Sequence, residues 1–233
     1  MDRILALGIL GTLTCATLVF APAVAAEGRF GGQANGSVTG TITTAAKGAA
    51  PVRVTIDQKV CGEQLPNEAI VVDAQGRLAN AVVILTGVKR EHPAEPLVVN
   101  EKCRFAPRVQ LIAPKASVKT TSRDPILHTT NAQLENGRSL FNVALPYPGL
   151  TITKAITAPG NVRFSCNTHP WMRAWMVATN EAAAISGADG RFTIDDVPPG
   201  TYELRVWHEA LKGAPQKVTV VPGKPTELSI ALQ

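Results

Sequence analysis

Val162–Ala178 reads VRFSCNTHPWMRAWMVA, and the reading of this stretch decides how the rest of the chain is understood. An alternating run, Val162–Ser165, leads into Cys166-Asn167-Thr168-His169-Pro170-Trp171-Met172, and an apolar run, Trp175–Ala178, leads out. A strand, a tight turn and a returning strand account for that pattern. The turn brings a thiol, an imidazole and a thioether together in a Cys-x-x-His-x-x-Met spacing. Soft sulfur stabilises Cu(I), imidazole suits both Cu(I) and Cu(II), and a weak axial thioether tunes the potential, so the mixture points to copper. Zinc is the rival, but structural zinc sites rarely employ methionine. Pro170 reads as fixing the turn after His169, and Trp171 as an aromatic edge that shields the site.

One loop leaves such a site an imidazole short. His128, at the end of Asp124-Pro125-Ile126-Leu127-His128 and just past the strand-like Ser117–Thr121, can supply it from a neighbouring strand. His128, Cys166, His169 and Met172 together match a blue-copper ligand set. Taken singly, a buried Cys packs, a Met fills gaps and a His satisfies a polar neighbour; the joint spacing carries the assignment. Met176 is a second axial candidate, although it reads better as part of the returning strand. His92 sits in a proline-bounded loop and is expected in solvent. His208, in Val206-Trp207-His208-Glu209, ends a strand and could line an interdomain surface.

Further outward, short apolar or alternating runs between turn residues dominate: Val52–Ile56, Ala81–Leu85, Val109–Ile112, Leu140–Leu145, Thr151–Ile156, Phe192–Ile194, Tyr202–Val206, Lys217–Val221 and Glu227–Leu232. No long apolar pattern at helical period follows residue 26, so the expectation is all-β, a sandwich or barrel. Residues 180–186 separate two strand-rich regions. Beyond them, Asp189-Gly190 signals a hairpin turn and Pro198-Pro199-Gly200 a second turn. Residues 185–233 supply four strands at most, so this piece must pack on the first domain or borrow strands from residues 36–56.

At the N-terminus, Arg3 precedes an apolar run, Ile4–Val19, and the small-residue stretch Ala21–Ala26, which reads as a cleavable secretory signal over residues 1–26. An uncleaved membrane anchor is the alternative, and the helix-breaking Pro22 argues against it. Residues 27–50, rich in Gly, Ala, Ser and Thr, read as a flexible leader. Of the four cysteines, Cys15 leaves with the signal, so an odd number remains for an oxidising compartment. Pairing Cys61 with Cys103 leaves Cys166 free; a reduced, buried Cys61 is the alternative that the sequence leaves open. The net charge of +5 could attract acidic partner proteins, but there is no basic run of the kind that binds nucleic acid. Nor is there a nucleophile elbow, a phosphate-cradling glycine loop or a metalloprotease helix, so no enzymatic activity is expected.

The segment from Val98 to Ala178 resembles a cupredoxin: Phe105-Ala106-Pro107 precedes an apolar strand, then come Asp124 to His128 and Cys166 to Met172, a short loop most similar to that of amicyanin. The resemblance implies a Greek-key barrel or sandwich over residues 51–180 that holds one type 1 copper. His128 and His169 would be its equatorial nitrogen ligands, Cys166 its thiolate and Met172 its axial sulfur. It further implies one-electron shuttling in the periplasm. Transient redox partners would dock where the edge of His169 approaches the surface, beside Trp171 and Ala174. The chain departs from the family in carrying Thr129 where an asparagine is usual. Residues 181–233, with Asp189-Gly190-Arg191-Phe192, Val197–Tyr202 and Val218–Gly223, resemble a carboxypeptidase-regulatory-like, transthyretin-like β-sandwich, which implies no catalysis. Copper storage or delivery on the same fold, and a metal-free structural or adhesive envelope protein, are the competing readings.

Overall fold

The computed structural model describes residues 34–233; the signal expected over 1–26 and the start of the leader lie outside them. The described chain is all-β apart from one helical turn. It runs through β1 (Gly36–Thr44), β2 (Val52–Arg53), α1 (Gln58–Cys61), β3 (Gln64–Leu65) and β4 (Val82–Lys89). β5 (Leu97–Glu101), β6 (Arg104–Ala106), β7 (Val109–Ile112), β8 (Ser117–Ser122), β9 (His128–Leu134) and β10 (Ser139–Leu145) follow. Then come β11 (Thr151–Ala155), β12 (Val162–Ser165), β13 (Arg173–Ala178) and β14 (Glu181–Ile185). β15 (Arg191–Val197), β16 (Gly200–Trp207), β17 (Gln216–Val220) and β18 (Pro225–Leu232) complete it.

Two sheets, ordered β10-β9-β12-β13-β7 and β11-β8-β5-β6, form the first sandwich. Alternation sets their faces: β9 buries His128, Thr130, Ala132 and Leu134, and β8 buries Val118, Thr120 and Ser122. Val98, Phe105 and Val118 of the smaller sheet meet Ala132, Val162, Phe164 and Met176 of the larger in one core. Each of these side chains larger than Ala132 contributes about 1.5–3 kcal/mol by burial. The buried hydroxyls of Thr120 and Thr130 satisfy each other at 2.8 Å. β7 pairs in parallel with β13, and β5 with β8, which demands crossover connections. Strand pairing leaves edges on both sheets, so the architecture is a sandwich and not a closed barrel.

The second sandwich packs β15-β1-β18 on β14-β4-β16-β17. Its core draws Val38 and Ile42 from β1 and Val83 and Leu85 from β4, alongside Phe192, Leu204, Val218 and Ile230. Here the domain limits read from sequence need correcting. Part of the expected leader is strand β1, paired antiparallel with β15 and parallel with β18. Its glycines serve close approach, not flexibility: a Cβ on Gly40 would strike the Leu228 carbonyl and, at 2.9 Å, the Phe192 ring. β4, expected within the first domain, belongs to this core as well. The four C-terminal strands cannot close a core alone, and β1, β4 and β14 make up the deficit. The separator expected at residues 180–186 is largely strand β14, whose Ala182 is fully buried against β4. Small side chains fit that tight space despite the low strand propensity of alanine.

The two sandwiches meet where β7 and β13 lie on β4 and β14 through Val82, Val109 and Val177, with Trp175 edge-on to Trp207 at 5.2 Å. Arg108 closes the seam with a bidentate pair to Glu209, both bonds at 2.8 Å. Among the described residues no helix is long and apolar enough to cross a membrane.

Candidate metal centre

β12 ends at Ser165, and the next residue, Cys166, turns inward at one pole of the first sandwich with 3% of its surface exposed. His128 opens β9, opposite Leu145 of β10, and is fully buried. The turn after Cys166 is closed by the Met172 N–H donating to the His169 carbonyl at 3.0 Å, which brings His169, also fully buried, back over the sulfur. Cys166 Sγ lies 3.9 Å from His128 Nδ1 and 3.6 Å from His169 Nδ1, and the two imidazole centroids are 4.6 Å apart. Met172 is 1% exposed and packs in the same cluster as Cys166. Met176, the alternative axial sulfur, is a core residue of β13.

The sulfur is held electrostatically. Burial alone pushes the Cys166 thiol up, but its contacts with the His128 ring, the Thr129 N–H and His169 outweigh it and bring the pKa down from 9.0 to about 6. The Thr129 N–H donates to Sγ at 3.3 Å, and its hydroxyl, 3.7 Å from Sγ, accepts the Asn167 N–H at 2.7 Å. Thr129 thereby bridges the segments that carry His128 and Cys166.

Behind each imidazole stands a carboxylate. His128 Nε2 faces Asp124 Oδ2 at 2.9 Å, and His169 Nε2 faces Asp57 Oδ2 at 3.0 Å. Asp124 also accepts the N–H groups of Lys102 at 2.7 Å and Cys103 at 2.9 Å. Both donors sit at left-handed φ, 52° and 55°, which turns their amides toward one carboxylate. Asp57 precedes α1, itself at φ 55°, and α1 ends in Cys61, which is joined to Cys103 by a disulfide. Sequence reasoning assigned no role to Asp57. Nothing local marks it, because its partner lies 112 residues away. Asp124 had a weak local signal, its place four residues before His128 in a turn.

The expectation that the His169 edge reaches the surface is not met. Asp57, whose side chain is 35% exposed, covers that edge, and Ala174 is 1% exposed and belongs to the core. Trp171 is half-buried, its centroid 5.2 Å from that of His169, with Nε1 donating to the Cys103 carbonyl at 3.1 Å. His92, expected in solvent, is half-buried at 2.8 Å from the Glu181 carbonyl. A second grouping of Cys103, Asp124 and His128 offers no independent site, since Cys103 is spent in the disulfide.

The donor set fits a first-row transition ion. An ion bonded at about 2.0 Å to nitrogen and about 2.3 Å to sulfur would fit the nitrogen–sulfur separations of 3.6 and 3.9 Å. Two imidazoles and a thiolate, with no carboxylate in the inner set, favour copper among such ions.

Among curated proteins, none matches the chain. A purple cupredoxin from Nitrosopumilus maritimus matches at 19% identity and TM-score 0.32, over 36% of this chain and 99% of that one. A reduced amicyanin mutant matches at 15% identity and TM-score 0.33, over 43% and 99%. A copper-containing nitrite reductase from Thermus scotoductus matches at 20% identity and TM-score 0.31, over 40% and 24%. The model of the carboxypeptidase regulatory-like domain matches residues 160–233, so the chain carries that module in its C-terminal part.

Proposed function

We propose that the protein is an exported, type 1 copper-binding electron carrier of the periplasm, and not an enzyme. The observation that carries this reading is the convergence of Cys166 Sγ with one ring nitrogen each of His128 and His169, on buried residues and within 4.8 Å of one another. His128, Cys166 and His169 would hold the ion, and Met172, buried in the same cluster, would supply a thioether sulfur. Copper bound there supplies one-electron exchange between Cu(II) and Cu(I). The chain's own contribution is rigidity. Thr129 fixes the sulfur, Asp57 and Asp124 fix the rings, and the sandwich core beneath them resists rearrangement between oxidation states. The closed setting favours electron carriage over storage or delivery, because metal transfer requires a donor that an acceptor can reach. With the His169 edge covered, the half-buried Trp171 lies beside His169, and a transient redox partner would meet the protein there.

Copper reconstitution of the metal-free protein tests the reading. One bound copper per chain and an intense visible thiolate-to-copper band are expected, with the band absent from Cys166→Ser. A colourless Cu(II) adduct of the wild type would sink it. Transfer of the metal to an acceptor without redox cycling would support delivery instead.

A further inference from the structure

We infer that Asp57 and Asp124 are positioning residues of this centre, each gripping one imidazole from behind, and that the Cys61–Cys103 disulfide joins them into a single brace. The inference rests on the copper reading above and concerns how the site is tuned. Both imidazoles turn Nδ1 toward Cys166 and Nε2 toward a carboxylate, at 2.9 Å for His128 and 3.0 Å for His169. A carboxylate acceptor at Nε2 keeps the proton there and leaves Nδ1 with a free lone pair, which is the tautomer a metal needs.

The two grips are not independent. From the His169 ring the path runs through Asp57, along α1, whose Cys61 N–H donates to the Asp57 carbonyl at 2.9 Å, and across the disulfide. It continues through the Cys103 N–H, 2.9 Å from Asp124 Oδ2, to that same oxygen's contact with the His128 ring. Val54, Leu65, Ile126 and Trp171 pack around the disulfide and hold this brace to the sandwich. The segment carrying Asp57 is thus tied through Cys61 to the place where Asp124 meets His128.

Two chemical consequences follow. Donation from both Nε2–H groups to carboxylates makes the imidazoles stronger electron donors to the ion, and the carboxylate oxygens bring negative charge close to it. Both effects favour Cu(II) over Cu(I), so the centre should sit at a lower reduction potential than the same ligands without the brace.

Two measurements test this. In the copper-free protein, nitrogen–proton NMR of the imidazoles should show slowly exchanging Nε2-bound protons on His128 and His169. Asp57→Ala should lose the His169 proton alone, and Cys61→Ser with Cys103→Ser should lose it too. In the copper-loaded protein, Asp57→Asn should keep the visible band while shifting the redox equilibrium at least tenfold toward Cu(I), a rise of about 59 mV. Asp57→Glu should return most of that shift, which a merely structural role would not require. Protected His169 exchange in Asp57→Ala overturns the positioning role, and the same result in the double serine variant overturns the link through the disulfide. A shift below twofold in Asp57→Asn overturns the tuning. If the wild type takes up no copper, the electron-carrier reading falls, and the metal-free NMR result still decides whether Asp57 positions His169.

Discussion

The two sandwiches each bury histidine, and they use it in opposite ways. His208, 3% exposed at the end of β16, accepts the N–H groups of Ala210 at 3.2 Å and Leu211 at 3.3 Å on Nδ1. Burial, and then the nearby Arg108 cation, push its pKa down to about 4. Its lone pair is spent on the backbone and a cation stands near, so it serves as a neutral plug for a turn. His128 and His169 are as deeply buried, yet Nδ1 faces a thiol and a carboxylate backs Nε2. Burial therefore does not separate a candidate ligand from a filler. What separates them is which nitrogen keeps a lone pair and what charge lies behind the ring.

The contrast is open to attack at several strengths. Most severe should be His169→Ala, expected to weaken copper binding by more than the ~10–100-fold typical of losing an outer support, while His208→Gln keeps one copper per chain; competition with a chelator measures both. Next, Phe164→Ala beneath the His128–Cys166–His169 cluster should cost about 3–5 kcal/mol, and Leu204→Ala in the other core about 2–5 kcal/mol. Denaturant unfolding of the copper-free protein should remain a single transition in both, because the sandwiches share a packed apolar seam; separate transitions in the wild type would break that view. Removing the disulfide with paired serines should cost about 2–4 kcal/mol in the same assay.

A smaller effect concerns pH. His208 has a folded pKa near 4 against 6.5 unfolded, so the unfolded chain binds the extra proton between those values. Stability should fall as pH drops from 6.5 toward 4, by at most about 1.4 kcal/mol per unit. His208→Gln should flatten that part of the profile, and an unchanged slope would show that other groups set it. Smallest is Thr129→Val, which strips the acceptor from the Asn167 N–H and should cost about 1 kcal/mol. The visible band should move slightly but survive, since the backbone N–H still reaches the sulfur.

What was legible in the sequence was local. Cys166, His169 and Met172 lie on one turn, and a turn between short strands is readable from its own residues. His128 was reachable because its donor type completed a set. The all-β class followed from alternation. β1 was not legible, because glycine and threonine in Gly36–Thr44 carry the composition of a linker while the partners that make them a strand, β15 and β18, lie at the other end of the chain. β14 escaped for a related reason: Ala182 looks like filler until β4 is beside it. Asp57 was the largest omission, and its meaning exists only once Cys61 has found Cys103.

β4 and β14 pair antiparallel with Lys89 opposite Glu181, so everything between them leaves and re-enters the second sandwich at one doorway. The sandwich that holds His128, Cys166 and His169 is, topologically, a hairpin loop swollen into a domain. It could be excised at that point and replaced by a short turn without cutting another strand. The excised piece would carry both imidazoles and the thiol but leave Asp57 behind on the parent chain. The portable unit and the complete centre are different objects, and transplanting the first should yield a site whose solvent-facing edge is bare.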